Sequence, residues 1–385
     1  MKKLTILTSL LLVWSVATAQ NDKNYISTGM PILLIASDAT AAGMGDVGAA
    51  STPDAYSTHW NNAKLAFIDG SMGLSTTYTP WLRNLNVGDM NLLYLNGYYR
   101  INDNSVAAAS LTYFSLGEIP HTSEEGDELW MMHPNEFAID GSYALKLTDQ
   151  LSLGATVRYI RSDLTNGTDV GEDHTTTKAA NSVAADIGLY YTTEVASNSE
   201  LALGGFISNL GAKLSYSDDD NDKEFLPANL RIGGRYTNTI DDYNKVSVLV
   251  DLNKMLVPTR PYTKDGVDHP TPYASNLTEY NNIGVIQGAF QSFFDAPGGF
   301  AEEMQELQIS AGAEYWYANT FAARLGYFYE HENKGGRRYA TVGVGVRYSI
   351  FSFDFSYLIP TTKITTSPLA NTIRMTIGID LKPTR

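Results

Sequence analysis

The first residues that could carry out chemistry form the motif Gly43-x-Gly45-x-x-Gly48, and Asp69 follows about twenty residues later. In a dinucleotide-binding protein such glycines bring the backbone close to the pyrophosphate, and the acidic residue binds a ribose hydroxyl. That interpretation requires a βαβ unit, and none follows the motif. Because small residues also let one backbone approach another closely, tight packing is the simpler explanation.

Nucleophilic or metal-dependent catalysis would need other combinations of residues. The chain has no Cys and six His, and it contains neither a Gly-x-Ser-x-Gly elbow nor a His-Glu-x-x-His motif. For His59, a hydrogen-bonded structural role is the expectation. The acidic run 218–222 leaves Ca²⁺ binding open, but it lacks the glycine of an EF-hand loop and is more typical of a solvated turn. We expect no enzyme activity, no metal and no cofactor.

Composition narrows the class of protein further. The chain has 385 residues and a formal charge of -15, from 27 basic and 42 acidic residues. A chain of this charge offers no basic surface for phosphate backbones, so we expect no nucleic-acid partner. Hydrophobic residues make up 43% and charged residues 18%, which favours a folded protein over a disordered one.

The first residues predict export. Lys2 and Lys3 precede an apolar stretch from Leu4 to Val16, and Ala17-Thr18-Ala19 matches a cleavage site. We therefore predict a signal peptide at residues 1–19 rather than an uncleaved anchor, for which the apolar run is short. No later apolar run is long enough for a spanning helix, so an exported chain of this kind is either soluble or an outer-membrane β-barrel.

Periodicity favours the barrel. Apolar residues alternate with polar or small ones in about fourteen segments, a pattern typical of strands with one apolar face. These segments start roughly at residues 70, 91, 105, 136, 150, 182, 200, 229, 245, 307, 321, 339, 351 and 373. An even number of strands in the low teens fits an outer-membrane barrel. We therefore predict an all-β protein, a 14-stranded antiparallel transmembrane β-barrel.

The connections between these segments supply an independent test. Short connections alternate with long ones throughout, as in outer-membrane barrels with short periplasmic turns and long outer loops. A soluble β-sandwich has no reason to follow this rule. We therefore predict the outer membrane of a Gram-negative bacterium, with the loops at the cell surface and both termini periplasmic. The predicted organisation is a hatch segment at 20–69 and a barrel at 70–385, with a long extracellular loop at 254–306.

The two faces of the predicted strands differ in charge. We find no charged residue on the parity assigned to lipid, while the other parity carries six acidic residues and six arginines. Because the two signs balance, we expect ion pairs that brace a closed lumen rather than an ion-selective pore. These lumen residues are Asp140, Arg158, Asp186, Arg231, Arg235, Asp251, Glu314, Arg324, Arg347, Asp354, Arg374 and Asp380.

The 254–306 connection is too long for a simple hairpin loop. It carries one apolar helical stripe, with Ile283, Ile286, Phe290, Phe293 and Phe294, and a second with Phe300, Met304 and Leu307. One interpretation is a lid with its own small core over the barrel mouth. The other is a surface for a protein partner, since exposed aromatic residues on an outer loop are costly. Both hold if the turn at 297–299 acts as a hinge.

Several motifs resemble one known family. Residues 37–48 (SDATAAGMGDVG), Asp54-Ala55 and residues 59–67 (HWNNAKLAF) are similar to the N-terminal signature of the PorV family, outer-membrane proteins of the type IX secretion system of Bacteroidota. Residues 293–300 (FFDAPGGF), 207–211 (ISNLG) and Leu226-Pro227 also resemble that family. Thr40 stands where the family has Arg, and Asn62 where it usually has Pro, which suggests a looser turn there.

The resemblance implies a FadL-like barrel with a hatch and a function that is not enzymatic. Members of the family bind the C-terminal domains of secreted cargo at the type IX translocon barrel protein. They then deliver this cargo to attachment-complex proteins that include a sortase. The alternative function is a FadL-like channel for hydrophobic small molecules. In both cases the barrel is embedded in outer-membrane lipid.

The candidate site residues fall into two groups. For partner binding on the extracellular loop we select Ile286, Phe290, Phe293, Phe294 and Phe300, and for the hatch Asp38, Gly43, Gly45, Asp46, Asp54, Trp60 and Asn61.

Overall fold

The computed structural model describes residues 24–82, 89–122, 128–164, 178–217, 223–264, 267–361 and 372–381. The predicted signal peptide and the acidic run 218–222 therefore lie outside the described residues. Fourteen antiparallel strands close into one barrel, which confirms the predicted fold class. They are β1 (Met72–Pro80), β2 (Asn91–Asn102), β3 (Ser105–Ser115), β4 (Asn135–Lys146), β5 (Leu151–Asp163), β6 (Ala180–Ala196), β7 (Ser199–Gly211), β8 (Asn229–Thr239), β9 (Asn244–Met255), β10 (Gln308–Tyr317), β11 (Phe321–Tyr329), β12 (Arg338–Tyr348), β13 (Phe351–Pro360) and β14 (Ile373–Leu381).

Every strand pairs with its two neighbours, and β1 closes the barrel against β14, with Met72 opposite Leu381. Successive side chains of a strand point to opposite sides of the wall. In β5, for example, Val157 points outward and is 69% exposed, whereas Arg158 points inward and is 4% exposed. The outer wall is therefore apolar, as lipid contact requires, and the charges lie inside.

Four charged residues nevertheless follow the outward parity, contrary to our expectation of none: Arg161, Asp163, Lys254 and Arg338. They occur because the strands extend beyond the apolar segments that the sequence pattern marks. All four lie where strands leave the apolar band, and all have local partners. Arg161 lies 3.5 Å from Asp163, and Arg338 lies over the Tyr329 ring.

The two ends of the barrel differ as the connection lengths predict. At the short-turn end the strands are joined by turns such as 103–104, 197–198 and 349–350. At the long-loop end the connections are longer, and three contain small two-stranded hairpins. The longest, 256–307, contains helices α3 (Leu277–Asn282), α4 (Val285–Gln291) and α5 (Phe300–Glu303). In the described part of the chain, no helix has the length and apolarity needed to cross a bilayer.

The segment before β1 runs through the lumen from one end to the other. It contains a 3-10 helix (Pro31–Leu34), helices α1 (Ala39–Ala42) and α2 (Ser57–Trp60) and a second 3-10 helix (Asn62–Phe67). Most of its residues from 30 onward are buried against the inner wall. Such short helices survive only because the wall supplies the contacts and hydrogen bonds that their length cannot.

The N-terminal residues themselves lie outside the described residues, but the described chain starts at the end opposite to the one we expected. We predicted both termini at the short-turn end, and Leu381 does lie there, but residue 24 lies at the long-loop end. Asn24 contacts Glu302 of α5, and the Gly29 amide donates to the Phe225 carbonyl in the 212–228 connection. An even strand number fixes only where β1 begins and β14 ends. It places no constraint on a segment that threads the lumen first.

Candidate functional site

The hatch is bound to the barrel wall through backbone groups that its own short helices leave unpaired. The Asp251 carboxylate of β9 accepts hydrogen bonds from the Gly48 amide at 2.6 Å and the Ala49 amide at 2.9 Å. Arg231 of β8 donates to the Asp46 carbonyl at 2.8 Å and lies 3.4 Å from Asp251. Wall charges are thus used to fix the hatch backbone in place.

Asp38 organises the centre of the hatch. One of its oxygens caps α1 by accepting from the Ala41 amide at 2.8 Å, and the other accepts from the Trp60 indole at 2.6 Å. The Trp60 ring lies under the Arg231 guanidinium, 4.5 Å from its centre. All three side chains are buried or nearly so, so a single carboxylate joins two hatch helices that the wall then holds.

The glycine motif is a packing element. Gly45 has a φ of 73°, and a Cβ at this position would lie 2.6 Å from the Tyr327 amide nitrogen of β11. A Cβ at Gly48 would overlap the Trp60 ring, and one at Gly43 would lie 3.1 Å from the Gly343 Cα of β12. Each glycine therefore permits a close approach to the wall or to Trp60 rather than to a phosphate.

The other predicted hatch residues also lie inside the barrel. Asp46 accepts a hydrogen bond from the Tyr339 hydroxyl at 2.5 Å, and Asp54 accepts from Ser57 Oγ at 3.3 Å near the start of α2. Asn61 donates to the carbonyls of Ala49 and, at 3.0 Å, of Leu189 in β6. These bonds tie one hatch turn to the next and to the wall.

One further expectation about the hatch is wrong, namely that His59 is hydrogen-bonded. Asn62, where we expected a looser turn, has a fully buried side chain that donates to Thr156 Oγ1 at 2.9 Å. His59 lies edge-on to Trp60 and Tyr94, with ring centres 4.8 and 5.8 Å away, and within the described residues no hydrogen bond to its ring is found. Sequence reasoning also missed Lys64, which is fully buried and donates to Ser51 Oγ at 2.6 Å.

The predicted lumen charges form two buried hubs. Arg158 lies 2.6 Å from Asp140 and 3.0 Å from Asp186, and it also donates to Asn209. In a second hub, Arg324 lies 2.7 Å from Glu314 and 2.6 Å from Asp354. The first hub joins the adjacent strands β4, β5 and β6, and the second joins β10, β11 and β13 across the inner face of the wall.

The remaining lumen charges follow other patterns. Arg235 pairs with Glu200 at 2.5 Å, a partner absent from our set. Asp380 accepts from the Tyr98 hydroxyl at 2.9 Å, and Arg347 lies 4.6 Å from the centre of the Trp316 ring. Among the described residues, neither these two side chains nor Arg374 forms an ion pair. The equal numbers of acidic residues and arginines in the predicted lumen did not indicate which of them form pairs.

The long loop buries one face and exposes the other. Tyr280 and Ile283 are buried with Phe225, Leu256 and Val257 in an apolar cluster above the lumen. Elsewhere the same loop exposes Phe290 (73%), Phe294 (74%) and Phe300 (80%). Ile286 and Met304 are exposed apolar residues of the same loop, and Phe293 is less exposed, at 37%. We refer to Ile286, Phe290, Phe294, Phe300 and Met304 as the aromatic face.

This arrangement corrects the predicted helical stripes. Ile283 lies between α3 and α4 and points into the cluster, so it does not share a face with Phe290. The turn at 297–299 is not a free hinge either. The Gly298 amide donates to Glu302 at 2.7 Å, and the Ala296 amide donates to Glu303 at 2.8 Å.

Ion pairs fix the loop to the rest of the long-loop end. Lys254 contacts Glu303 and Glu306, and Lys334 lies 2.6 Å from Glu302 and 3.0 Å from Glu306. The buried Asp295 carboxylate accepts from the Thr259 amide at 2.7 Å. Burial raises the pKa of Asp295 to about 6, although its hydrogen bonds oppose that rise. The aromatic face is therefore displayed on a fixed support.

Comparison with known proteins identifies related sequences and folds. A family model described as "Type IX secretion system protein PorV" matches residues 18–262. A search of curated proteins by sequence finds no match. Among solved structures, the Pseudomonas putida toluene transporter TodX is 11% identical with a TM-score of 0.54, over 91% of this chain and 99% of that one. The CymD monoaromatic hydrocarbon channel is 13% identical with a TM-score of 0.52, over the same shares. At such identities the two structures establish the fold alone.

Proposed function

The chain belongs to the PorV family of the type IX secretion system, and from this we propose that it binds the C-terminal domains of exported proteins at the translocon. It then carries them to the cell-surface attachment complex that contains the sortase. In this proposal the long-loop end faces the cell surface and the short-turn end faces the periplasm. The observation that carries it, beyond the family, is the aromatic face.

The aromatic face has the properties of a surface for a protein partner. Large rings near the centre of an interface contribute most of its binding energy, and they are costly when left exposed to water. Here Phe290, Phe294 and Phe300 are exposed although their loop has its own core, so they are not needed to fold it. The ion pairs of Lys254 and Lys334 hold the loop in one arrangement, which reduces the entropy lost on binding.

The filled lumen supports the same proposal. Hatch residues occupy the barrel from the long-loop end to the short-turn end, and Asp251 and Arg231 bind them to the wall. Cargo therefore does not pass through this barrel, and a partner is held at its outer surface instead.

The experiment replaces Phe290, Phe294 and Phe300 together by Ala. Truncating one hot-spot ring typically costs about 2 kcal/mol or more, a factor of about 30 in the dissociation constant. We expect normal levels of heat-modifiable barrel in the outer membrane, with loss of co-purified cargo C-terminal domain or translocon barrel protein. Phe293 is left intact because its ring lies 5.7 Å from Lys254 and contributes to the support.

The matched control replaces Tyr243, Tyr317 and Tyr348 by Ala. These rings are exposed to a similar degree at the short-turn end. We expect this variant to retain cargo and translocon. Unchanged cargo binding in the loop variant, with the barrel folded, would show that the aromatic face is not the binding surface.

A channel for hydrophobic small molecules is the second candidate, favoured by the fold shared with TodX and CymD. The two functions predict that different molecules co-purify with the protein when it is extracted from its native membrane. Secreted proteins and translocon subunits are expected for the shuttle. Bound aromatic or aliphatic compounds, with no protein partner, would support the channel.

A further inference from the structure

A polar pocket lies inside the barrel at the short-turn end. Its wider part has a volume of about 530 Å³, and the exposed turn 197–198 forms part of its rim. A narrower part of about 50 Å³ adjoins it and ends at Thr40 and Met44 of the hatch. Arg235 and Lys245 line both parts, so the two parts meet at these side chains. The pocket is therefore closed at its inner end and has a size that suits a small molecule.

Three cationic side chains line this pocket, and two of them have no acidic partner. Arg235 is buried and pairs with Glu200 at 2.5 Å, and it donates to Thr52 Oγ1 of the hatch at 2.9 Å. Lys245 points inward from β9 and is half-buried, and Arg347 points inward from β12. Within the described residues, neither Lys245 nor Arg347 forms an ion pair. A partly buried ammonium without a counter-ion is unfavourable, so this part of the pocket suits an anionic group.

The acidic residues of the narrower part are already engaged by other cations. Glu314 lies 2.7 Å from the buried Arg324. The strongest attractive charge interaction of Asp54 is with Lys64 of the hatch. The side of the pocket formed by β9 and β12 therefore keeps an excess of positive charge.

The wider part carries unpaired acidic residues away from Lys245. Glu194 lies on β6, three strands from Lys245 on β9. Asp69 lies beside β2, because Arg100 of that strand donates to the neighbouring Gly70 carbonyl at 3.3 Å. Both carboxylates are exposed and form no ion pair with any described residue. The pocket thus has a positive side and a negative side.

The separation of the two sides sets the length of a matching ligand. Neighbouring strands lie about 4.8 Å apart, so three strand spacings amount to roughly 14 Å along the wall. The side chains of Lys245 and Glu194 both line the pocket and shorten this gap. An extended tripeptide spans about 10 Å, so its two charged ends can reach the two sides at once. A free anion such as phosphate would be attracted by one side and repelled by the other.

From this arrangement we propose that the short-turn end of the barrel binds a small zwitterionic molecule of the short-peptide class. The carboxylate of this ligand lies between Lys245 and Arg347, and its ammonium group lies towards Glu194 and Asp69. The proposal does not depend on the proposed role in secretion, because the pocket lies at the end of the barrel opposite to the aromatic face.

The test titrates the protein, purified in detergent, with three forms of one tripeptide in a calorimeter. Triglycine carries both charges, triglycine amide lacks the carboxylate, and acetyl-triglycine lacks the ammonium group. We expect triglycine to bind about tenfold more tightly than either modified form, because each of these leaves one side of the pocket unmatched. Inorganic phosphate should bind no more tightly than acetyl-triglycine.

Two variants address the two sides separately. Lys245→Met should lower the affinity for triglycine to that for triglycine amide, while the preference for a free ammonium group remains. Asp69→Asn with Glu194→Gln should remove the preference for the ammonium group and leave the preference for the carboxylate. A structural disturbance of the pocket would instead weaken all three forms alike.

The matched control is Lys146→Met. Lys146 also points inward at the short-turn end, is half-buried and forms no ion pair in the described part of the chain, but it does not line the pocket. We expect this variant to bind all three forms as the parent protein does. Loss of the carboxylate preference in this control would contradict the assignment to Lys245.

Equal affinity of the parent protein for triglycine and for both modified forms would overturn the proposal. Tighter binding of phosphate than of triglycine would do the same, because it would show a simple anion site. An unchanged carboxylate preference in Lys245→Met would also overturn it. If Lys245→Met yields no heat-modifiable barrel, Arg347→Met, which removes an exposed side chain, is titrated in its place and is subject to the same criterion.

Discussion

Replacing Arg324 by Met should destabilise the barrel far more than the loss of one surface charge would. Its side chain is fully buried, and it holds two carboxylates, Glu314 at 2.7 Å and Asp354 at 2.6 Å. Met leaves both carboxylates buried without a cation. Breaking a buried ion pair from one side costs about 3–5 kcal/mol, because the remaining charge keeps its desolvation penalty.

A second substitution in the same barrel isolates the cause. Arg347 also lies against the Trp316 ring, at 4.6 Å from its centre compared with 5.5 Å for Arg324. It is exposed, however, and forms no ion pair within the described residues. Arg347→Met removes the same cation–π contact and should cost about 1 kcal/mol or less. The difference in stability between the two variants therefore measures the cost of leaving Glu314 and Asp354 buried without a cation.

The assay is urea unfolding in lipid vesicles, followed by the heat-modifiable band on a gel. Adding Glu314→Gln and Asp354→Asn to Arg324→Met should restore most of the lost stability, because a neutral hub carries no unpaired charge. A loss below about 1 kcal/mol for Arg324→Met, or no recovery in the triple variant, would refute the electrostatic explanation of the hub.

Four further predictions test other parts of the molecule. In planar bilayers the protein should show little steady conductance, and deletion of 37–66 should increase the leak; large, stable openings of the intact protein would contradict the filled lumen. The chain has no Cys, so an introduced Cys is the only thiol that a maleimide can label. An impermeant maleimide should label Asn24→Cys on intact cells, and Leu381→Cys only after the outer membrane is permeabilised. The reverse pattern would invert the assigned topology. Ile377→Arg, at an outward position in the middle of β14, should cost about 2–4 kcal/mol in the same urea assay, and no effect would mean that this face does not meet lipid. The raised pKa of Asp295, about 6, means that the folded loop binds this proton more tightly than the unfolded chain does, so the stability of the loop falls as pH rises from about 4 to 6 and stays low above that range. Asp295→Asn should therefore slow proteolysis of the loop at pH 7.5 and have little effect at pH 4. Equal proteolysis rates of variant and parent at pH 7.5 would count against a destabilising buried charge.

The strands and their faces could be predicted because they follow from local geometry. A side chain at position i of a strand faces the opposite side from i+1 whatever the neighbouring strand is, so Val157 and Arg158 separate by parity alone. The connection lengths then assign the two ends of the barrel. The resemblance to the PorV family was visible in the motifs of the hatch, and the family model matches residues 18–262.

The candidate hatch and loop residues were only partly readable from the sequence. Trp60 and Asp38 stood out by motif, but nothing in their spacing of 22 positions indicates that indole and carboxylate meet. Asn62 was expected to loosen a turn, yet Thr156 of the wall holds it. Such contacts join hatch and wall across the lumen, where sequence periodicity carries no distance information.

Tertiary structure alone decided the direction of the hatch and the partners of the charges. The hatch has no strand or helix period to read, because wall side chains such as Asp251 satisfy its backbone rather than a ladder of its own. Arg324 meets Asp354 two strands away because Gly345 of the intervening β12 has no side chain to separate them. Alternation along a strand is a one-dimensional property that the sequence contains in full. The route of a chain through a closed barrel depends on the enclosed volume, which exists only after all fourteen strands have paired.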